Sequence, residues 1–240
     1  MRGLYAIVDL DVLAKRNLDP IAFATAVLAA RPCALQLRAK NAPDARVVAL
    51  LRELKPLCET AQVPLVANDR ADLALVGGAD IVHVGQTDAS PALVRAVAPR
   101  LAFGISTHTP EQLNDALRAK PHYVAFGPVW STTSKLLPDP VVGVNGVKQA
   151  SRLLRISARE GGAAPPLVAI GGVTLDRITE IAGYVAAAAV ISDLVPPEDL
   201  TGTDAYDYVR VRAQQMISAF DDPVRLSSPS LTDIPQGRSS

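Results

Sequence analysis

Three polar side chains alternate along a short apolar segment near the N-terminus. Gln36, Arg38 and Lys40 are separated by single residues. Leu35 precedes Gln36, and Leu37 lies between Gln36 and Arg38. In a β-strand, residues two apart point to the same face, so an amide and two cations would lie together. Burial of these three polar groups without an anionic partner would cost free energy. The segment therefore predicts an anion site, and the alternative is a polar face turned to solvent at an edge strand.

Two carboxylates follow the next β-like segments of the chain. Asp69 comes directly after Asn68, and Asp88 follows Val84 by four positions. At the tips of neighbouring strands, this pair could bind one Mg²⁺ ion, whose remaining ligands would be water and substrate phosphate oxygens. An aspartate after a strand is also a common helix cap or turn residue. Both interpretations stay open on spacing alone.

Two later regions have the composition of phosphate-binding loops. Hydroxyl groups and a lysine suit phosphate oxygens, and glycines before a helix, next to the loop of the following strand, form the usual phosphate pocket of a barrel. The residues concerned are Thr132, Thr133, Ser134 and Lys135 in the first region, and Gly172, Ile191 and Ser192 in the second. Lys135, with Arg38, Lys40, Asn68 and Mg²⁺, has enough charge for a pyrophosphate, whereas the second region suits a single phosphate.

These segments can meet only if the fold brings strand ends together. Short β-rich runs alternate with segments of helical period, which predicts parallel strands joined by crossover helices. Eight such units in about 220 residues favour a single-domain α/β fold, the (β/α)₈ TIM barrel, over a doubly wound sheet. The predicted strands are Leu4 to Asp9, Ala34 to Ala39, Pro64 to Asn68, Ile81 to Gly85, Ala102 to Ser106, Tyr123 to Val129, Leu167 to Gly171 and Ala187 to Ser192.

The C-terminal segment differs in composition from the rest of the chain. Residues 221–240 are rich in Ser, Pro and Asp and have little apolar periodicity. We therefore expect residues 1–220 to form the catalytic barrel domain and residues 221–240 to be a disordered tail.

Charge and cysteine content exclude several classes of partner. Lys and Arg total 24 and Asp and Glu total 24 among 240 residues, so no basic field is expected to attract nucleic acid or an anionic membrane. Cys33 and Cys58 are too few for a disulfide framework. We expect a cytoplasmic protein that binds small phosphorylated molecules, and a homo-oligomer is compatible with the sequence.

The three histidines do not form a nucleophilic site with other residues. His83 lies within a predicted strand and suits a structural role or a place beside a substrate, whereas His108 and His122 fall in predicted loops. No Ser, His and Asp set and no Cys and His pair is recognisable in the sequence. We therefore expect chemistry that needs no covalent nucleophile.

Taken in order, these motifs resemble the thiamine-phosphate synthase family from Leu4 to about Leu194. Gln36-Leu37-Arg38-Ala39-Lys40 is similar to the Gln-x-Arg-x-Lys motif of the family. The resemblance implies three groups of residues. They are Gln36, Arg38, Lys40, Asn68, Ser106 and Lys135 for the hydroxymethylpyrimidine pyrophosphate, Asp69 and Asp88 for Mg²⁺, and Thr132, Thr133, Ser134, Gly172, Ile191 and Ser192 for the thiazole phosphate. Among them, Lys135, Ser106 and Arg38 are the implied catalytic residues.

The resemblance implies a transferase of thiamine biosynthesis. It would couple 4-amino-2-methyl-5-hydroxymethylpyrimidine pyrophosphate with 4-methyl-5-(2-phosphoethyl)thiazole, giving thiamine phosphate and pyrophosphate. One alternative is the thiazole tautomerase of the same superfamily, which usually has a histidine where this chain has Pro128. A second is a non-catalytic thiamine-phosphate binding protein. The chain departs from the family pattern at Ile81, at Ser134 and in Val185-Ala186-Ala187-Ala188-Ala189, which keeps the second alternative open.

Overall fold

Eight parallel strands form one closed barrel in the computed structural model, which describes residues 1–132, 139–159 and 164–221. Each strand pairs with its neighbours in chain order, and β8 closes the barrel on β1. The strands are β1 Gly3–Asp9, β2 Ala34–Arg38, β3 Leu65–Asn68, β4 Ile81–Val84, β5 Ala102–Thr107, β6 Tyr123–Phe126, β7 Leu167–Ile170 and β8 Ala187–Val190. The predicted TIM barrel is confirmed.

Helices connect the strands on the outside of the barrel. Three of them begin with proline after a capping residue: the side chains of Asp19, Ser90 and Thr109 accept hydrogen bonds from backbone N–H groups three residues later. The helices are α1 Leu10–Lys15, α2 Pro20–Leu28, α3 Asp44–Ala61, α4 Ala71–Gly77, α5 Pro91–Val97, α6 Pro110–Arg118, α7 Gly143–Arg159, α8 Leu175–Ile181 and α9 Gly202–Asp221, with a 3₁₀ turn at Ser192–Leu194.

The strands separate two apolar regions. Leu35 and Leu37 on β2 pack in the layer between the strands and the surrounding helices. Their neighbour Ala34 lies inside the barrel, together with Tyr5 and Tyr123. The alternation expected for β2 is therefore present, and its polar residues share the inner face with Ala34.

The C-terminal helix α9 reaches Asp221, one residue into the predicted tail. Residues 222–240, which make up the remainder of that tail, lie outside the described residues. Within the described part of the chain, no helix is long and apolar enough to span a membrane.

Candidate functional site

Arg38 is held at the carboxyl end of β2 by a residue that the sequence analysis did not single out. Asp9 and Arg38 are register partners at the ends of β1 and β2, and their side chains form an ion pair. Asp9 is 1% exposed. Its Oδ1 atom also accepts hydrogen bonds from the N–H groups of Asp11 and Val12, both at 3.1 Å, and so caps α1. The guanidinium is thereby fixed at the mouth of the barrel.

Gln36 and Asn68, both predicted site residues, are hydrogen bonded to each other. Gln36 Nε2 donates to Asn68 Oδ1 at 2.7 Å, between the neighbouring strands β2 and β3. Gln36 is buried on the inner face of the barrel, where its Oε1 atom accepts from the Tyr5 hydroxyl at 2.6 Å. Exposure increases along this segment. Gln36 is buried inside the barrel, whereas the Lys40 side chain at the rim is 44% exposed.

Lys40 and Asp69 form an ion pair at the same rim. Lys40 Nζ lies 3.1 Å from Asp69 Oδ2. Asp69 has a backbone φ of 64°, a left-handed conformation that is uncommon for a residue with a side chain and that often occurs at functional sites. This conformation turns the chain sharply at the end of β3.

Asp69 and Asp88 are close enough to influence each other's ionisation. Burial and the neighbouring carboxyl group of Asp88 raise the pKa of Asp69, and Lys40 opposes this rise. Asp88 Oδ2 accepts a hydrogen bond from the N–H of Gly85 at 2.7 Å, which holds its carboxyl group beside the end of β4. The two predicted metal ligands therefore form a half-buried acidic pair.

This pair has the chemistry that Mg²⁺ prefers. Mg²⁺ usually binds one or two protein carboxylates and completes its shell with water and substrate phosphate oxygens. Among the residues of the described ranges, no group of three or more His, Cys, Asp and Glu side chains could hold a metal. Two carboxylates are nevertheless a number that Mg²⁺ commonly takes from a protein.

Ser106 lies at the mouth end of β5 and contacts a buried histidine. Its Oγ atom is 2.8 Å from His83 Nε2, and His83 Nδ1 is 2.8 Å from the Tyr123 hydroxyl. The Tyr123 hydroxyl is in turn 2.7 Å from the Tyr5 hydroxyl. Burial raises the pKa of both tyrosines, so their hydroxyl groups stay protonated. His83 is thus buried and contacts a predicted site residue, which agrees with both roles that the sequence left open for it.

Gly172, predicted to bind a phosphate, lies where the loops after β6 and β7 meet. The N–H of Trp130 donates to the carbonyl of Gly171 at 3.0 Å. Gly172 has a φ of 64°, and a Cβ atom there would lie 2.6 Å from the Ser131 carbonyl oxygen. Only glycine fits this contact without displacement of the backbone. Thr132, the first residue of the predicted hydroxyl run, follows directly and is half-buried.

Ile191 and Ser192 occupy the end of β8, and a carboxylate next to them changes the expected phosphate contact. Asp193 Oδ2 accepts from the N–H of Leu175, the first residue of α8, at 2.8 Å. Both carboxylate oxygens of Asp193 also accept from Arg212 Nη2, at 2.9 and 2.8 Å. The N–H of Leu175 at this helix start is therefore already bound to a carboxylate rather than directed at an open phosphate site.

Thr133, Ser134 and Lys135 lie outside the described residues. Both flanks of their segment are held at the mouth of the barrel. The N–H of Val142 donates to the Pro128 carbonyl at 2.9 Å. His108 Nδ1 lies 2.6 Å from the Gly127 carbonyl oxygen, and its Nε2 atom lies 3.4 Å from Asp139 Oδ2. The histidine predicted to lie in a loop therefore links two parts of the rim.

Known proteins with similar sequences identify the family. The family described as thiamine monophosphate synthase matches residues 4–194. The thiamine-phosphate synthase of Koribacter versatilis is 40% identical over 196 residues, which are 80% of this chain and 88% of that protein. The corresponding protein of Anaeromyxobacter dehalogenans is 36% identical over 194 residues, 80% of each chain.

A solved structure agrees with these relatives. Thiamine phosphate pyrophosphorylase from Pyrococcus furiosus superimposes with a TM-score of 0.74 at 25% identity, over 92% of this chain and 96% of that chain. The resemblance predicted from the order of the motifs is confirmed. The chain belongs to the thiamine monophosphate synthase family.

Proposed function

We propose that this chain is a thiamine-phosphate synthase. It joins 4-amino-2-methyl-5-hydroxymethylpyrimidine pyrophosphate to 4-methyl-5-(2-phosphoethyl)thiazole and releases pyrophosphate. The observation that carries the proposal is the meeting of two cations, an amide and an acidic pair at one rim: Arg38 on Asp9, Lys40 on Asp69, Asn68 on Gln36, and Asp88 beside Asp69. Such a set suits a diphosphate, which has several negative oxygens to share among cations and N–H donors.

The reaction requires stabilisation of a leaving anion. The methylene carbon of the pyrimidine exchanges its bond to a pyrophosphate oxygen for a bond to the thiazole nitrogen, and the electrons of the C–O bond leave with the pyrophosphate. The nitrogen attacks with its lone pair, so no side chain has to remove a proton. Arg38, Lys40 and Lys135 would offset the charge that develops on the pyrophosphate, and fixed charges of this kind are effective because they need no reorganisation.

Mg²⁺ is the proposed cofactor, held by Asp69 and Asp88. When bound, it would supply positive charge to the pyrophosphate oxygens. The proximity of two carboxylates, with Lys40 as a neighbouring cation, supports this assignment because the pair would otherwise repel. For the thiazole phosphate we propose Thr132, Thr133, Ser134, Gly172, Ile191 and Ser192, and for the pyrimidine we propose Ser106.

Two free cysteines support a reducing location, and phosphorylated substrates are metabolites of the cell interior. We therefore propose a cytoplasmic enzyme. The tautomerase alternative is disfavoured by the retained set of Arg38, Lys40, Asn68 and Asp69 and by Pro128 in the segment after β6.

Incubation of the purified protein with both substrates and Mg²⁺ tests the proposal. We expect thiamine phosphate and pyrophosphate to appear in equal amounts. Asp69→Asn and Lys135→Ala should each reduce turnover at least about 100-fold, while circular dichroism shows a folded protein. Asp115→Asn is the control, since Asp115 pairs with Arg118 on an exposed helix face. Binding of thiamine phosphate without pyrophosphate release would instead identify a binding protein, and isomerisation of a thiazole without coupling would identify a tautomerase.

A further inference from the structure

A groove of about 260 Å³ lies between α7 and the amino ends of β7 and β8. Leu167 is the first residue of β7, and Ala186 directly precedes β8. The groove is therefore at the end of the barrel opposite the candidate site, and the proposed reaction does not use it. The side chains that line it include Leu154, Leu167, Val185, Tyr184, Ser151 and Arg155.

Ser151 brings an unused hydroxyl group to this groove. The residue lies in the second half of α7 and is only 7% exposed. Thr25 and Thr60, on other helices, donate their hydroxyl hydrogens to backbone carbonyls four residues earlier. Within the described part of the chain, the Ser151 hydroxyl has no hydrogen-bond partner. It is therefore available to donate to a ligand in the groove.

Four cations form a stripe along the exposed side of α7. They are Lys148, Arg152, Arg155 and Arg159. Spacings of four, three and four residues place them on one face of the helix. Helix α7 contains no acidic residue, and among the described residues none of the four cations has an ion pair. By contrast, the exposed Arg118 and Arg210 each pair with an aspartate three residues earlier.

This stripe leaves positive charge beside the groove. Arg155 lines the groove, and Lys148 Nζ lies 5.2 Å from the centre of the Tyr184 ring, which lines it as well. Like charges three or four residues apart destabilise a helix. The chain as a whole has no net charge, so the excess is a local property of α7. An anion bound at Arg155 would offset this repulsion.

The volume of the groove limits the size of its ligand. An apolar cavity of about 150 Å³ is large enough for benzene, whereas sites for drug-sized ligands begin at about 300 Å³. A groove of about 260 Å³ therefore has room for one aromatic ring and one small anionic group. Leu154, Leu167 and Val185 provide apolar contacts for such a ring, and Tyr184 provides an aromatic one.

We propose that this groove binds a small aromatic anion, a molecule of one ring with one phosphate or carboxylate group. The Arg155 guanidinium and the Ser151 hydroxyl donate to the anionic group, while Tyr184 and the apolar wall hold the ring. Lys148 adds positive charge beside Tyr184. The site is separate from the proposed substrate site and does not rest on the proposed function.

NMR of the full-length protein, with labelled Leu and Val methyl groups and ¹⁵N-labelled Trp, tests the site. Phenyl phosphate and benzoate are the probes, and inorganic phosphate and phenol supply the anionic group and the ring separately. We expect the methyl signals of Leu154, Leu167 and Val185, each assigned by a conservative substitution, to shift with a single Kd. For at least one probe, this Kd should be at least about tenfold lower than for inorganic phosphate or phenol. The indole signal of Trp130, the one tryptophan of the chain, reports binding at the rim separately.

Substitutions in the groove should weaken this binding. Arg155→Met removes a charged donor and should raise the Kd at least about tenfold, and Ser151→Ala should raise it at least about threefold. Arg118→Met on α6 and Ser157→Ala on α7 are the matched controls, because neither residue lines the groove. Both controls should leave the Kd unchanged.

Shifts confined to Trp130 overturn the inference, and so does an equal Kd for Arg155→Met and Arg118→Met. If Ser151→Ala does not fold, Arg155→Met decides, since Arg155 is exposed. These results do not depend on the activity of the protein. A protein that binds a probe in the groove but forms no thiamine phosphate refutes the proposed function and leaves the inference standing.

Discussion

Asp9 and Arg38 lie opposite each other at the carboxyl ends of β1 and β2 and form an ion pair, with the Asp9 side chain 1% exposed and that of Arg38 14% exposed. Asp9 caps α1 with its other carboxylate oxygen. One buried carboxylate therefore anchors the start of a helix and fixes the direction of a cation at the mouth. Stability and the proposed pyrophosphate binding are therefore linked through Asp9.

The substitution Asp9→Asn should lower the stability of the fold and weaken the proposed binding of pyrophosphate. The amide still accepts the capping hydrogen bonds but lacks the negative charge that Asp9 places beside the guanidinium of Arg38. Removal of one partner from a buried pair commonly costs about 2–5 kcal/mol. We expect a loss of this size in the free energy of unfolding by urea denaturation, together with a higher KM for the pyrimidine pyrophosphate. The control Asp115→Asn, in an exposed pair, should change stability by less than about 0.5 kcal/mol. Equal effects of the two substitutions would refute the anchoring role.

Gly172→Ala should damage the proposed thiazole phosphate site. A methyl group there would lie 2.6 Å from the Ser131 carbonyl oxygen, at a φ of 64°. The left-handed conformation alone costs roughly 1–3 kcal/mol for a residue other than glycine. We expect KM for the thiazole phosphate to rise more than KM for the pyrimidine pyrophosphate.

Gly183→Ala is the control for this substitution, because a Cβ atom at Gly183 would have no neighbour within 4 Å. It should leave both KM values and the unfolding midpoint close to those of the wild type. An equal rise of both KM values in Gly172→Ala would argue against a local effect on the phosphate loops.

Arg212→Met should loosen the end of β8. Arg212 donates to both carboxylate oxygens of Asp193, which also accepts from the first N–H of α8. The side chains of this pair are only 20% and 18% exposed, so its loss should cost about 2–5 kcal/mol. Denaturation curves and the KM for the thiazole phosphate measure the effect.

The neighbouring Arg210→Met supplies the comparison. Arg210 pairs with Asp207 on the same helix, and their side chains are 53% and 59% exposed. Exposed pairs of this kind contribute at most about 1 kcal/mol. If the two methionine variants were equally stable, Asp193 would not depend on Arg212 for its position.

Both cysteines should react slowly with thiol reagents in the folded protein. Burial raises the pKa of Cys33 and that of Cys58 to about 12. The thiolate is the reactive form, so at pH 8 only a very small fraction of either thiol is reactive. We expect slow colour development with a disulfide reagent in buffer and rapid reaction of two thiols in urea. Rapid reaction of either cysteine before unfolding would contradict this.

The barrel could be predicted from sequence because its strands are short apolar runs separated by helical periods. Gln36 and Arg38 could be predicted to share a face because the period of a strand is two residues, whereas Lys40 lies two residues beyond the end of β2. Tyr5 and Tyr123 could not be recognised in this way. Each lies in an apolar run typical of core, and their hydroxyl groups, 118 residues apart in the chain, meet only across the closed barrel.

Asp193 shows a second limit of sequence reasoning. A glycine pair followed by a helix is typical of a phosphate site, and the sequence around Gly171 and Gly172 has this pattern. Nothing local indicates that a carboxylate 18 residues beyond Leu175 accepts from its N–H. Long-range contacts of this kind depend on the register between β7 and β8, which composition does not reveal.

The strands contribute side chains of very different size to the centre of the barrel. A Cβ atom on Gly104 would lie 2.1 Å from Cζ of Tyr123, and β8 contributes only the small side chains of Ala187 and Ala189 to the interior that also holds Tyr5. An enlargement at position 104 must therefore be matched by a reduction at position 123. We expect these two positions to covary during divergence, so that descendants which lose Gly104 also lose the aromatic ring at 123.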